Sequence, residues 1–201
     1  MRLDQKIYSL TNFNFHLQNI NKELRLLKKF LLDNKVYAGS LIDIGCGDGY
    51  VTKELSDFLK IKNIYGLDVN KKLLNKAEKK GIKVIHANID YYSPMERYDL
   101  VIIYGAVHHI KDTEKLIIKA KTMSKNYILI VDSTVRNNFF HKILGSKYFP
   151  LDATPYNIRT KEEILKALET QGCRILDEKT DFYANYWHDR SFILASVSKS
   201  S

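Results

Sequence analysis

The stretch Leu41-Ile42-Asp43-Ile44-Gly45-Cys46-Gly47-Asp48-Gly49 decides how this chain folds. Leu41, Ile42 and Ile44 form a short apolar run of the kind buried as a central strand. Gly45, Gly47 and Gly49 then break it at every second position, and a helical pattern begins at once. A strand that ends in glycines and feeds a helix lets the backbone come close to a ligand, and the helix N-terminus offers free N–H groups to the ligand's polar or anionic part. Asp43 stands inside the apolar run, where a carboxylate is costly without a partner, and it is therefore assigned to the site.

The spacing argues against a dinucleotide site. Its fingerprint is G-x-G-x-x-G. Counted from Gly45 the third glycine would fall on Tyr50, and counted from Gly47 it would fall on Thr52. A bare tight turn is the plain alternative, and the downstream residues speak against it.

Outward from the turn, the chain alternates between elements without a long linker. Strands are expected at 41–45, 63–68, 82–87, 98–104 and 126–132, with helices at 50–60, 70–80 and 112–124 between them. That order implies an α/β fold, a three-layer sandwich with helices on both faces of a parallel sheet. Residues 1–38 read as helical, with Leu24, Leu27, Lys28 and Leu31 on one face of a helix ending near Lys35. Residues 134–159 interrupt the rhythm with Phe139, Phe140, His141, Tyr148, Phe149 and Tyr156. Thr160 and Glu163 form a capping box that opens a helix running to Gln171 and stopping at Gly172. Strands near 173–183 and 190–198 are close enough in sequence to pair antiparallel.

Bulk composition excludes several classes. A chain of 201 residues with 45% hydrophobic and 27% charged residues suits one soluble domain. It holds no apolar run of the ~18 residues that would span a bilayer, and its first residues lack the apolar core of a secretion signal. Two cysteines suggest no disulfide framework, so the cytoplasm is the expected compartment and no membrane partner is expected. The net charge of +9 leaves nucleic acid open as a partner, although the lysines are dispersed and arginine is scarce.

Two motifs in the right order carry a resemblance. Residues 43–49 read Asp-x-Gly-x-Gly-x-Gly. Tyr98-Asp99, followed by Gly105-Ala106-Val107-His108-His109-Ile110, is similar to the Phe-Asp … Leu-His-His-Val segment of small-molecule enzymes. Together they resemble the class I, Rossmann-like S-adenosylmethionine-dependent methyltransferases. The resemblance implies a mostly parallel seven-stranded sheet with an antiparallel C-terminal hairpin, and S-adenosyl-L-methionine as cofactor with S-adenosyl-L-homocysteine as product. It covers roughly residues 38–133 by motif and 160–198 by pattern, and a single methyltransferase domain is expected, with an N-terminal helical cap (1–38), a cofactor core (39–133), a lid insert (134–159) and a C-terminal helix and hairpin (160–201).

The cofactor set follows from strand ends, where open α/β sheets bind ligands. Asp43, Gly45, Cys46, Gly47 and Gly49 would form the cradle. Asp68, closing the second strand with Val69 next to it, has paired acceptor oxygens suited to both ribose hydroxyls. Its alternative is a helix-start acid before Asn70. Asn88, where relatives usually carry Asp, or Asp90 two residues on, would meet the adenine amino group, and Ile89 would pack on the ring. Tyr104 and Gly105 would lie beside the methionine portion.

Methyl transfer from a sulfonium needs alignment and a dry pocket, and it needs a base only where the nucleophile is protonated. His108, on a turn expected to face the crevice, is the candidate catalytic base, with a structural hydrogen bond as the alternative; for His109 the structural role is expected. No metal site is expected. Tyr104-Gly105-Ala106-Val107 departs from the Asn/Asp-Pro-Pro-Tyr/Phe tetrad of amino-methylases of adenine or glutamine, and neither cysteine is placed as a cytosine-attacking nucleophile. The aromatic residues of the N-terminal stretch, the insert and residues 182–188 would enclose a small-molecule acceptor. The alternatives are an RNA- or protein-directed methyltransferase and a non-catalytic S-adenosylmethionine-binding protein.

Overall fold

The computed structural model describes residues 20–135, 159–185 and 188–197, in two compact units, 1–37 and 38–201. In the first unit, helix α1 covers residues 20–33. Leu24, Leu27 and Leu31 are buried, as their spacing requires, and Phe30 joins them while Lys28 is half-buried. Lys35 ends the helix in the left-handed region (φ 51°), letting the Val36 N–H reach back to the Leu31 carbonyl at 3.1 Å.

The second unit is built on one seven-stranded sheet in the order β3-β2-β1-β4-β5-β7-β6. Its strands are β1 (Ser40–Ile44), β2 (Asn63–Asp68), β3 (Lys83–His86), β4 (Tyr98–Tyr104), β5 (Ser124–Val135), β6 (Cys173–Asn185) and β7 (His188–Val197). The first five pair parallel, and β7 lies antiparallel between β5 and β6. The crossovers are helices α2 (Tyr50–Leu59), α3 (Lys71–Glu78) and α4 (Thr113–Met123), and α5 (Lys161–Thr170) precedes the hairpin. The chain runs outward from β1 to β3 and then returns to β4. Right-handed crossovers therefore place α2 and α3 on one face of the sheet and α4 on the other. That reversal between β1 and β4 opens the crevice at the strands' carboxyl ends.

The central strands are apolar without alternation because both faces are covered. Leu41 and Ile42 of β1, residues 100–103 of β4 and residues 128–131 of β5 are all buried. Asp99 ties the starts of β1 and β4 together: its Oδ2 accepts from the N–H groups of Gly39 (2.9 Å) and Ser40 (3.0 Å) and from the Ser40 hydroxyl (3.0 Å).

The helices end within a residue or two of the expected positions. Strand β5 is longer than the expected 126–132 at both ends. No loop separates Met123 from Ser124, whose carbonyl is held by the Arg97 guanidinium. At the other end Thr134 and Val135 continue the ladder against Asp189 and His188. The capping box forms in full: the Thr160 hydroxyl accepts from the Glu163 N–H (3.2 Å), and the Glu163 carboxylate accepts from the Thr160 N–H (2.9 Å). Among the described residues no helix is long and apolar enough to cross a membrane. Of the expected aromatic lid, residues 1–19, residues 136–158 of the 134–159 insert, and Tyr186 and Trp187 lie outside the described residues.

Candidate functional site

The glycine turn is built by three left-handed residues with different reasons for being glycine. Gly45, Gly47 and Gly49 have φ of 78°, 55° and 75°. A Cβ on Gly45 would stand 2.8 Å from the Ala106 Cβ, so the turn after β4 packs directly on this backbone. A Cβ on Gly49 would stand 2.4 Å from Ile82 Cδ1 and 2.9 Å from the Ala77 Cβ. A Cβ on Gly47 meets nothing within 4 Å. Gly49 is thus filled by protein on its inner side, while Gly47 faces open space. Lys80 at the end of α3 clamps the turn by donating to the Asp48 carbonyl (2.6 Å) and carboxylate (3.0 Å).

Asp43 sits below the turn, 1% exposed. Its Oδ2 accepts from the Thr52 hydroxyl at 2.6 Å, and Oδ1 has no hydrogen-bond partner. Burial pushes this carboxyl up to about 7 from the usual 3.8, aided by the charge of Asp68 and opposed by the Thr52 bond. The folded chain therefore keeps a proton that the unfolded chain releases, so stability should fall as pH rises through the window from about 4 to about 7. The expected loss is a few kcal/mol, read as urea midpoints across that window. Asp43→Asn should flatten the profile, and an unchanged slope would contradict the burial of a titrating Asp43.

Burial first, then the charges of Asp43 and Asp68, also push the Cys46 thiol well above its ordinary range. Cys46 is therefore a protonated packing residue. It fills the space left by Gly66 of β2, where a Cβ would lie 2.6 Å from Sγ.

Asp68, at the end of β2, links the turn to the next helix. Its Oδ2 accepts from the Gly47 N–H (2.9 Å) and its Oδ1 from the Asn70 N–H (2.7 Å). The helix cap itself is Asn70, whose side chain accepts from Lys72 and Leu73. Asp68 is thus freed from capping and lines the crevice.

The crevice holds a cavity of about 490 Å³. Of the sequence-assigned residues it is lined by Gly45, Asp68, Val69, Asn88, Ile89 and Gly105, together with Asp90, Ala106, His109 and Lys111. Val69 is 61% exposed and Ile89 buried, an open and a closed wall for the same space. Asn88 spends its side-chain oxygen on the Asp90 N–H (2.8 Å), folding the loop so that both residues reach the lining. Asp43, Cys46, Gly47, Gly49, Tyr104 and His108 lie outside the lining and support it from below or beside.

The turn after β4 departs from the expected division of labour. His109, expected to be structural, is exposed and lines the cavity, whereas His108 is half-buried and turned toward β5. His108 Nδ1 lies 2.5 Å from Asp132 Oδ1. Asp132, 1% exposed, also accepts from the N–H groups of Val107 (2.7 Å) and Ser133 (2.7 Å). Gly105 (φ 62°) donates to the Val131 carbonyl at 2.7 Å, so the turn is stitched onto the end of β5. Arg190 of β7 stacks over the Tyr104 ring at 4.9 Å and donates to the Ser133 hydroxyl at 3.2 Å. Asp132 is the residue that sequence reasoning passed over. The signal was present in Ile128-Leu129-Ile130-Val131-Asp132, an acid that follows an apolar run inside a strand, as Asp43 does in β1.

Glycine turn, strand-end acid and a five-parallel-strand sheet with an inserted antiparallel hairpin define a class I methyltransferase fold. Residues 42–127 match the family described as "Methyltransferase domain". It is 31% identical over 110 residues to a Papaver bracteatum protein named probable (S)-tetrahydroprotoberberine N-methyltransferase 2; the match covers 51% of this chain and 31% of that relative. The chain thus spans about a third of the length of that curated relative. Among solved structures it shares its fold with magnesium protoporphyrin IX methyltransferase of Synechocystis PCC 6803 with bound S-adenosylhomocysteine (TM-score 0.68, 16% identity, covering 90% of this chain and 84% of that one). It shares it also with N-methyltransferase NodS of Bradyrhizobium japonicum WM9 (TM-score 0.67, 14% identity, 87% and 96% covered).

Proposed function

We propose that the chain transfers a methyl group from S-adenosylmethionine to a small-molecule acceptor. The observation that carries the reading is the cavity of about 490 Å³ bounded by Gly45 of the glycine turn, by Asp68 and by the Asn88–Asp90 loop. Its size is in the range of small-ligand sites. The fit is chemical as well. A nucleoside needs a double acceptor for its ribose, which Asp68 offers, and an apolar wall for its base, which Ile89 offers.

In this reading Gly45, Gly47 and Gly105 let the backbone approach the ligand, Asp68 holds the ribose, and Asn88 or Asp90 meets the adenine edge. Bound S-adenosylmethionine supplies a methyl group already activated on a sulfonium. The residues of the chain then align the acceptor, exclude water and, through His108, take up a proton. A small acceptor is supported by the similar proteins whose names specify an alkaloid or a porphyrin substrate.

Saturating S-adenosylhomocysteine should raise the melting temperature by roughly 5–10 °C, the effect of ligand at about 100 times its Kd on a domain of this size. An unchanged melting curve at millimolar ligand would overturn the assignment. A shift with NAD in its place would return the chain to the dinucleotide class.

A further inference from the structure

We propose that the outer surface built by α3, the edge strand β3 and the start of β2 binds the phosphate backbone of a nucleic acid. The inference stands apart from the choice of methyl acceptor, and it uses none of the residues that line the cavity.

The fold gathers lysines that are spread along the sequence. Residues 62–86 contain seven lysines, no arginine and two acids. One acid, Asp68, belongs to the crevice, and one lysine, Lys80, is held by Asp48. The other six, Lys62, Lys71, Lys72, Lys76, Lys79 and Lys83, are exposed, and among the described residues none has a carboxylate partner. Lys72, Lys76 and Lys79 share one face of α3, at i, i+4 and i+7. Lys83 continues the row onto β3 at the sheet edge, where it is paired with Tyr65 and lies over that ring at 5.0 Å. Lys62 stands at the same end, just before β2. Because β2 and β3 are parallel, α3 runs back against them. The row therefore starts beside Asp68 and Asn70 at the crevice mouth and ends at the opposite edge of the sheet.

Helix stability alone does not account for this charge. Lys71 and Lys72 stand in the first turn of α3 with no acid there, against the positive end of the helix dipole. Lys72 and Lys76 repel at i, i+4, whereas Lys53 of α2 has Asp57 at the same spacing. A sequence that breaks the local rules on one exposed element marks that element for function. A row of phosphates would turn each of these repulsions into an attraction.

The same element favours a nucleic acid over a bilayer. Leu74 and Ala77 of α3 are buried, so the helix has no free apolar face to insert into lipid. Lysine meets a phosphate as a point charge, and without arginine the surface lacks the fork that reads base edges. Binding should therefore be indifferent to base sequence and steeply dependent on salt.

The test is fluorescence anisotropy of a labelled, mixed-sequence single-stranded RNA titrated with the full chain. Six phosphate contacts predict a log–log salt slope of about −4, or a loss of a few hundred-fold between about 50 and 200 mM salt. Replacing Lys72, Lys76 and Lys79 together by Gln should make that slope shallower by about 2 and weaken binding at the lower salt about tenfold or more. The melting temperature should hold or rise, and the shift with S-adenosylhomocysteine should be unchanged. Lys62→Gln with Lys83→Gln, which leaves α3 intact, should weaken RNA binding in the same direction. Absence of binding at the lower salt, or variants that bind as tightly as the unsubstituted protein, would overturn the proposal. Binding to phosphatidylserine vesicles or to polyglutamate at least as tight as to RNA would overturn it too. The S-adenosylhomocysteine shift is read separately and keeps a failure of this surface distinct from a failure of the cofactor reading.

Discussion

Gly49→Ala should destabilise the protein by about 2–4 kcal/mol, and Gly47→Ala by only about 1 kcal/mol. Both positions are left-handed, at φ 75° and 55°, so both substitutions bear the cost of placing a side chain there. They differ in what the new methyl group meets. At Gly49 it would enter the space of Ile82 and Ala77, and the 3.1 Å approach to the Ala77 Cα is to backbone, which cannot rotate away. At Gly47 there is nothing within 4 Å. Urea unfolding of the two variants measures the difference, with equal slopes required for a two-state reading. Equal losses, or a larger one at Gly47, would mean that α3 does not close on the turn as described.

The largest effect on binding is expected at Asp68. Asp68→Ala should weaken S-adenosylhomocysteine by roughly two to four powers of ten, the equivalent of losing two charge-assisted hydrogen bonds at about 1.5–3 kcal/mol each. Part of that loss acts through the apo site, since Asp68 also accepts from Gly47 at 2.9 Å and Asn70 at 2.7 Å and so shapes the turn. Asp68→Asn separates the two contributions. An amide keeps one acceptor and sets a donor against one of the two N–H groups, so affinity should fall while the fold survives. Titration calorimetry gives both numbers. A Kd within twofold of the unsubstituted protein for Asp68→Ala would remove the ribose role and, with it, the assignment of the crevice to an adenosyl ligand.

These two sites also mark the boundary between what was legible in the residues and what was not. The glycine turn, the strand-end acid and the capping box are local patterns. Their chemistry depends on residues a few positions apart, and the structure forms them where the sequence places them. The alternation of apolar runs with amphipathic helices likewise dictates a parallel sheet, because a strand buried on both faces has no room for polar alternation and needs a helical crossover to reach its parallel neighbour. The short link between the last two apolar strands dictates their antiparallel pairing.

Only the tertiary structure decided the roles of residues whose partners lie far along the chain. His108 and Asp132 are 24 positions apart, and nothing local distinguishes His108 from His109. The distinction arises because the turn after β4 is stitched to the end of β5, which carries one imidazole to a buried carboxylate and leaves the other at the cavity. Asp43 shows the same limit. Its place in an apolar run announced a buried acid, but the single Thr52 bond and the bare second oxygen depend on how α2 lies across β1. Local propensity and periodicity act within a few residues and so can be read in order. Which strand end meets which is settled by burying all the faces at once, and a protonation state follows from that meeting.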